Sequence, residues 1–207
     1  MKNKLTIIGA SGHGKVVADI AIKLDKWDEI VFLDDNESIK TCMGFKVIGV
    51  TGDVIRYKDE SDFIVAIGNN ETREKMQEGL EEKGLSIISL IHPNTTIGAD
   101  VKIGIGTVIM AGVVINSSTN IGKGCIINTS SSIDHDNVIE DYVHISPGVN
   151  TGGTVKIGKK SWIGIGGTVK NNVEIGKDTV VGAGAVVVRD ISKPGIYIGV
   201  PVRRIEE

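Results

Sequence analysis

Aliphatic residues recur at every sixth position through the second half of the chain. From Ile97 to Val186 the sequence divides into fifteen hexads without insertion or deletion, and fourteen of the fifteen first positions are Ile or Val, Thr151 being the exception. Glycine stands at the second position of eight hexads, and the fifth position is mostly small or β-branched. A strict period of this length is typical of a solenoid, in which each short repeat stacks on the next.

Three consecutive hexads are expected to form one triangular coil. First-position side chains should point inward and stack on their equivalents one coil later, while fifth-position side chains fill the remaining inner space. Second positions should lie near the corners, where glycine tolerates unusual backbone angles. The repeat thus predicts a parallel β-helix of about five coils, on the order of 24 Å tall at ~4.8 Å per strand. A sandwich of short strands would not keep the six-residue phase.

Residues 1–90 instead show alternating strand and helix patterns. Short apolar runs predict three strands and helical spacing predicts two helices, at residues 5–8, 15–26, 30–33, 63–67 and 71–84. This order predicts a Rossmann-like βαβαβ unit with a parallel sheet, which makes the whole chain an α/β domain followed by a β-helix. We expect the domains to span residues 1–90 and 91–207.

Three loops should meet at the carboxyl edge of the predicted sheet, where ligands of such sheets bind. They are Gly9–Gly14, Asp34–Asp35 and Gly68–Asn70. A glycine-rich turn that opens a helix can present backbone N–H groups to a phosphate, and an acidic pair can hold ribose or base hydroxyls. A tight strand–helix turn without a ligand would show the same glycines, but the three loops together favour a nucleotide or nucleotide-sugar site.

Composition excludes several classes of function. The net charge is −3 without a basic cluster, which argues against nucleic-acid binding. Apolar stretches are too short for membrane insertion or for a signal peptide. The two cysteines, Cys42 and Cys125, fit buried thiols in a reducing compartment, and the four dispersed histidines argue against a metal site. We therefore expect a cytoplasmic protein without a metal.

Two consecutive hexads, residues 127–138, break the aliphatic rule, and such departures tend to mark function. His135 stands between two aspartates, which can stabilise its imidazolium and raise its basicity, as a general base requires. A solvated coil edge would also tolerate the Asp-His-Asp sequence. The polar residues Ser131 and Asn137 at fifth positions, where aliphatic side chains would pack better, favour a site.

The remaining histidines leave alternatives open. Trp162 follows His144 by one coil and is expected to stack on it on the same face, either as a structural pair or as a ligand contact. His13 in the glycine-rich turn could donate to a phosphate or be merely exposed. His92, which precedes Pro93, is interpreted as a linker residue.

The motifs GASGHG, FLDD, AIGNNE, IDHD and GVPVRRI follow one another along the chain. In this order they resemble the hexapeptide-repeat sugar acyltransferases of the sialic-acid O-acetyltransferase group, and within it the UDP-N-acetylbacillosamine N-acetyltransferases (PglD-like). The resemblance covers essentially the whole chain. It implies a left-handed β-helix with the shape of a triangular prism, a homotrimer, and acetyl-CoA bound in the groove between the prisms of neighbouring protomers.

The resemblance also implies roles for individual residues. His135 is the catalytic histidine, and Asp136 stands where close relatives have the longer Glu. The residues that match acetyl-CoA-binding positions are His144, Gly153, Ile165, Gly182 and Ala183. Those that match the nucleotide-sugar pocket are Gly12, His13, Gly14, Asp34, Asp35, Gly68 and Asn128.

The activity implied is acetyl transfer from acetyl-CoA to the 4-amino group of a UDP-linked amino-dideoxy sugar. Alternatives are O-acetylation of a sialic acid and N-acetylation of another nucleotide sugar, such as a GDP-linked one. A third alternative is a non-catalytic trimeric binding protein that uses the prism as its spine.

Overall fold

The structure is a computed structural model that describes residues 2–205 and divides into two compact units, the first ending at Pro93 and the second beginning at Asn94. The first unit contains β1 (Lys4–Ile8), α1 (Gly12–Leu24), β2 (Glu29–Leu33), β3 (Thr41–Cys42), β4 (Phe45–Lys46), a 3-10 helix (Thr51–Tyr57), β5 (Ser61–Val65), α2 (Asn70–Glu82) and β6 (Leu90–Ile91).

The first unit has the predicted βαβαβ order. Its central sheet is parallel, with strand order β2-β1-β5, and the inner strand β1 is buried from Leu5 onward. Helix α1 begins three residues earlier than its apolar spacing predicted, because its first backbone hydrogen bond runs from Lys15 N to Ser11 O. The β3–β4 hairpin and the 3-10 helix, absent from the prediction, fill the chain between β2 and β5.

The second unit is a parallel β-solenoid with three faces. Face one contains β7 (Thr96–Ile97), β10 (Val114–Ile115), β13 (Ser132–Ile133), β16 (Asn150–Thr151), β19 (Thr168–Val169) and β22 (Val186–Val187). Face two contains β8 (Lys102–Ile103), β11 (Asn120–Ile121), β14 (Val138–Ile139), β17 (Lys156–Ile157) and β20 (Glu174–Ile175). Face three contains β9 (Val108–Ile109), β12 (Ile126–Ile127), β15 (His144–Ile145), β18 (Trp162–Ile163) and β21 (Thr179–Val181). A final hairpin is formed by β23 (Gly195–Ile198) and β24 (Arg203–Arg204).

Each strand pairs with its equivalent one coil away, as the hexad period predicted. Ile133, for example, pairs with Ile115 on one side and with Thr151 on the other. First-position residues form the buried core from Ile109 onward, and fifth-position residues are buried from Thr107 onward. The solenoid is longer than predicted and has about six turns, because β22 adds a sixth strand to face one.

The role predicted for the second-position glycines is wrong. None of these eight glycines has a positive φ, whereas the fourth residue of every hexad does, with φ between 54° and 72°. The glycines are needed for close stacking instead. In six of them, Gly98, Gly104, Gly122, Gly152, Gly158 and Gly164, an added Cβ would lie 2.4–2.7 Å from an atom of the adjacent coil, in each case with a backbone atom this close. The third residue lies between these two positions, at the corner, and its side chain stays outside the core.

No helix between residues 2 and 205 is both long and apolar enough to cross a membrane.

Candidate functional site

The Asp-His-Asp sequence forms the corner that follows β13. His135 Nδ1 lies 2.7 Å from Asp136 Oδ2, so that the two side chains form a hydrogen-bonded pair. The other carboxylate has a different role: Asp134 Oδ1 accepts hydrogen bonds from the backbone N–H of His135 at 2.9 Å and from Asn116 Nδ2 at 2.8 Å. One aspartate therefore contacts the imidazole and the other holds the turn.

The charges around His135 favour its protonated form. The hydrogen bond to Asp136, followed by the negative charge of Asp134, raises the pKa of His135 above its ordinary value of 6.5. The hydrogen bond from Asn116 lowers the pKa of Asp134, so this carboxylate keeps its charge. With an Nδ1–H directed at Asp136, the neutral imidazole has Nε2 as its proton acceptor.

A cleft of about 540 Å³ opens beside His135 on face one. The imidazole lies against Gly153 in the next coil, where an added Cβ would come within 2.5 Å of Nε2. Gly153 therefore makes room for the ring. Asn150, Thr168 and Lys170 also line the cleft and supply hydrogen-bonding groups near the imidazole.

His144 and Trp162 stack as predicted. Their rings are nearly parallel, at 2°, with centroids 5.2 Å apart, because they occupy paired positions in β15 and β18. Asn128 Nδ2 lies 3.4 Å from His144 Nε2, and Trp162 Nε1 donates to Ser146 Oγ at 2.7 Å. Asn128, expected in the nucleotide-sugar pocket, and His144, expected to contact acetyl-CoA, are thus neighbours on face three.

Three of the other residues expected to bind acetyl-CoA, Ile165, Gly182 and Ala183, lie at the corner that follows face three, whereas Gly153 lies against His135. Ile165 and Ala183 occupy equivalent positions one coil apart, joined by the hydrogen bond from Gly184 N to Ile165 O at 2.8 Å. Both are exposed, Ile165 by 62%, and Gly182 precedes Ala183. Within one chain, this corner and the corner of His135 and Gly153 are two separate places.

The three loops of the first unit meet, as predicted for a ligand site. Ala10 N donates to Asp34 Oδ2 at 2.6 Å, which ties the glycine-rich turn to the end of β2. A Cβ on Gly9 would lie 2.9 Å from Ala66 O, and one on Gly14 would lie 2.2 Å from Gly9 O, so these backbones approach closely. Arg73 Nη1 donates to Gly68 O at 3.0 Å and fixes the third loop.

His13 is held neutral rather than cationic. Burial, and secondarily the charge of Arg73, lower the pKa of His13 from 6.5 to about 4. Its Nε2 has no hydrogen-bond partner among residues 2–205. Of the two roles left open for His13, exposure is wrong, because its Nε2 is buried.

The acidic pair already accepts hydrogen bonds within the first unit. Asp34 binds the backbone N–H groups of Ala10 and Asn36, while Asp35 binds the N–H and hydroxyl of Thr51. A carboxylate can accept about four hydrogen bonds, so both retain acceptors for a ligand. Beside Asp34 lies a cleft of about 440 Å³. Its far wall comes from the β3–β4 region, whose short strands carry no periodic signal that could have revealed it.

Two residues at the Asp-His-Asp corner were not assigned a role from the sequence. Asn116 contacts Asp134, and Asn137 donates to the backbone of the turn itself. Asn137 did give a signal, as a polar residue at a core position, whereas nothing in the sequence distinguishes Asn116 from other corner residues. Among residues 2–205 no group of three or more His, Cys, Asp or Glu side chains is placed to hold a metal.

Comparisons with known proteins agree with this architecture. Residues 4–80 match the family model of the PglD N-terminal domain. A GDP-perosamine N-acetyltransferase of Escherichia coli O157:H7 is 30% identical over 83% of this chain and 80% of its own. A UDP-N-acetylbacillosamine N-acetyltransferase of Bacillus subtilis (strain 168) is 37% identical over 53% of this chain and 52% of its own.

The fold is also similar to a solved enzyme structure over its whole length. The acetyltransferase domain of PglB from Neisseria gonorrhoeae FA1090, in complex with acetyl coenzyme A, superimposes with a TM-score of 0.96 at 38% identity, covering 99% of this chain and 100% of that one. The alternative of a non-catalytic binding protein is therefore wrong. The chain belongs to the family of acetyl-CoA-dependent sugar N-acetyltransferases that includes the GDP-perosamine and UDP-N-acetylbacillosamine enzymes.

Proposed function

We propose that the protein transfers the acetyl group of acetyl-CoA directly to the 4-amino group of a UDP-linked amino-dideoxy sugar, with His135 as general base. The observation that supports this proposal best is the His135–Asp136 pair at the edge of an open cleft. An imidazole more than half exposed, with a carboxylate on Nδ1, can reach a ligand with Nε2.

The proposed reaction needs one nucleophile and one base. The sugar amine attacks the thioester carbonyl while His135 Nε2 takes its proton; the C–N bond forms, the C–S bond breaks, and the thiolate of CoA takes the proton back from the imidazolium. Asp136 orients the ring and stabilises its charge. A covalent enzyme intermediate is not needed, and Cys125, which is 0% exposed in the core, is unsuited to forming one.

We further propose that the active form is a homotrimer with sites between protomers. The residues assigned to acetyl-CoA lie in separate places on one chain, with Gly153 beneath His135 and Ile165, Gly182 and Ala183 at the corner after face three. A groove between two prisms would bring the catalytic corner of one protomer to face three of its neighbour. In that arrangement His144 and Asn128 of the neighbour border the same groove.

The first unit is assigned to the nucleotide sugar. Gly12, His13 and Gly14 form the first turn of α1, whose backbone N–H groups and positive helix end suit a diphosphate. Gly68 begins the third loop, and the cleft beside Asp34 is the proposed place of the base and ribose. A GDP-linked amino sugar is the second candidate, because a relative that is 30% identical over 83% of this chain is a GDP-perosamine N-acetyltransferase.

A panel of nucleotide-linked amino sugars, each with acetyl-CoA, tests the proposal. We expect release of free CoA thiol with a UDP-linked 4-amino-dideoxy sugar, and an acetylated product heavier by one acetyl group in mass spectrometry. Faster turnover with a GDP-linked sugar would instead establish the second candidate. Transfer to a sialic acid hydroxyl, without transfer to any amine, would contradict both.

Asp136→Asn is expected to shift the pH profile of kcat. A general base acts when neutral, so activity should rise with pH through the pKa of His135, which lies above 6.5 in the wild type. Without the carboxylate this pKa falls, so the ascending limb should move to lower pH while the plateau drops about tenfold or more. Profiles of kcat from pH 5 to 9 measure both changes. If the ascending limb of the kcat profile does not move in Asp136→Asn, Asp136 does not control the pKa of the group that titrates.

A further inference from the structure

The side chain of Asn137 lies inside the solenoid, directly beneath the catalytic corner. It occupies the fifth position of its hexad and is 0% exposed. Its equivalents in the next two coils are Val155 and Val173, which fill the same column of the core with aliphatic side chains. A carboxamide at this place must find hydrogen-bond partners in the core, since burying it without them is unfavourable.

Asn137 Nδ2 finds three backbone carbonyls. It lies 2.7 Å from Asp134 O and 3.2 Å from His135 O, both in its own turn, and 2.9 Å from Gly152 O in the next coil. With only two N–H groups, the amide shares at least one of them between carbonyls. The carbonyl of His135 also accepts a hydrogen bond from Thr154 N at 2.9 Å. The backbone on both sides of His135 is thus fixed from within the core.

Hydroxyl side chains at other fifth positions have one donor each. Thr107 Oγ1 donates to Gly122 O at 2.8 Å and Ser161 Oγ to Gly176 O at 2.9 Å, in each case the carbonyl fifteen residues later. Thr119 Oγ1 makes the same kind of contact with Asp134 O at 2.9 Å, whereas Ser131 Oγ donates to Asn128 O in its own turn at 2.8 Å. Asn137 makes the equivalent bond to Gly152 and adds the two bonds to its own turn. A hydroxyl at this position, with its single donor, could not hold all three carbonyls.

Packing alone does not require an asparagine here. Asn137 Oδ1 is buried and has no hydrogen-bond partner among residues 2–205, which is unfavourable for folding. The amide therefore introduces an unsatisfied acceptor in a column where valine packs one coil later. Its donor end is directed at the peptide groups that carry His135 and Asp136.

We propose that Asn137 is a positioning residue, whose amide holds the turn 134–136 so that His135 and Asp136 remain in contact. The proposal rests on the proposed function, in which His135 is the base. The geometric reason is that the carbonyls of Asp134 and His135 set the orientation of the two peptide groups on either side of His135. These peptides fix the direction of the imidazole and the left-handed conformation of Asp136, whose φ is 56°.

The test is Asn137→Val, with Thr107→Val as the matched control at the same hexad position far along the chain. In Asn137→Val we expect an unchanged or higher melting temperature and a kcat at least tenfold lower, with the KM of both substrates within about twofold. The pKa of His135, followed by NMR, should fall toward its ordinary value as the contact with Asp136 loosens. Thr107→Val should change neither kcat nor this pKa.

Wild-type kcat together with a wild-type His135 pKa in Asn137→Val would overturn the proposal. If that variant does not fold, Asn137→Thr replaces it, because the single donor of threonine cannot hold both carbonyls of the turn; it should show losses in the same direction. The NMR titration does not depend on turnover. If the pKa of His135 falls in Asn137→Val while the His135→Ala variant is fully active, Asn137 does position His135, but His135 is not the general base.

Discussion

His135→Ala is expected to lower kcat by about 10²–10⁴-fold while the KM of both substrates changes little. The side chain is proposed to take the proton of the attacking amine, and its removal leaves binding energy and proximity intact. The loss corresponds to roughly 3–5 kcal/mol of transition-state stabilisation. Steady-state thiol release, measured with both substrates saturating, gives the number directly.

Lys177→Ala is the control for that measurement. Lys177 occupies the same third position of its hexad at another corner and is exposed, so its loss should leave turnover unchanged. Wild-type turnover in His135→Ala would contradict the assignment of the base.

The same variant can report on the proposed trimer. His135→Ala and Ile165→Arg alter different corners, and a site between protomers takes one corner from each. Trimers refolded from equal amounts of the two variants should regain about a quarter of wild-type activity, because about a quarter of the sites combine an intact His135 corner with an intact Ile165 corner. Activity no greater than the sum of the separate variants would show that the corners do not combine.

Gly14→Ala is expected to destabilise the first unit more than any other conservative change in the glycine-rich turn. Its Cβ would lie 2.2 Å from the carbonyl oxygen of Gly9 and 3.3 Å from Phe32 Cε1. Because the first contact is with backbone, α1 must move away from the end of β1. Overpacking of this kind costs about 1–3 kcal/mol, or roughly 10 °C in the melting temperature of the unit. Thermal unfolding followed by circular dichroism measures the shift.

Gly12→Ala is its matched control, two residues earlier in the same turn of α1. A Cβ on Gly12 meets nothing within 4 Å, so the melting temperature should stay the same. The open space is where the proposed diphosphate would approach, and we expect the KM of the nucleotide sugar to rise. An equal loss of stability in both variants would contradict the steric reason given for Gly14.

The sequence predicts the solenoid well because every coil buries the same hexad positions in the same way. The aliphatic first positions define the inward face, and their period alone determines the spacing of His144 and Trp162. The βαβαβ order is equally local. Boundaries were less predictable: α1 starts at Gly12 because of a backbone hydrogen bond to Ser11, which no side-chain pattern reveals.

The site could be predicted in part. The polar hexads pointed to His135, but the different roles of Asp134 and Asp136 depend on the left-handed conformation of Asp136 and on a contact from Asn116 one coil away. The reason for glycine at the second position could not be predicted either, because it depends on how closely neighbouring coils stack, which the sequence of one hexad does not reveal. The cleft beside Asp34 is lined in part by residues that flank the β3–β4 hairpin, such as Lys40 and Val47, in a segment too short to show a period.

The corner positions have a consequence for how such an enzyme could be altered. The third position of the fifteen hexads holds ten different residue types, from Gly and Pro to Lys, Asp and His, while the inward first position is Ile or Val in fourteen of the fifteen. Side chains there project from a scaffold that does not depend on them, at sites repeated every ~4.8 Å along each edge. A functional side chain could therefore be transferred from one third position to the equivalent position of another coil, in steps of one coil, without changing the first-position core.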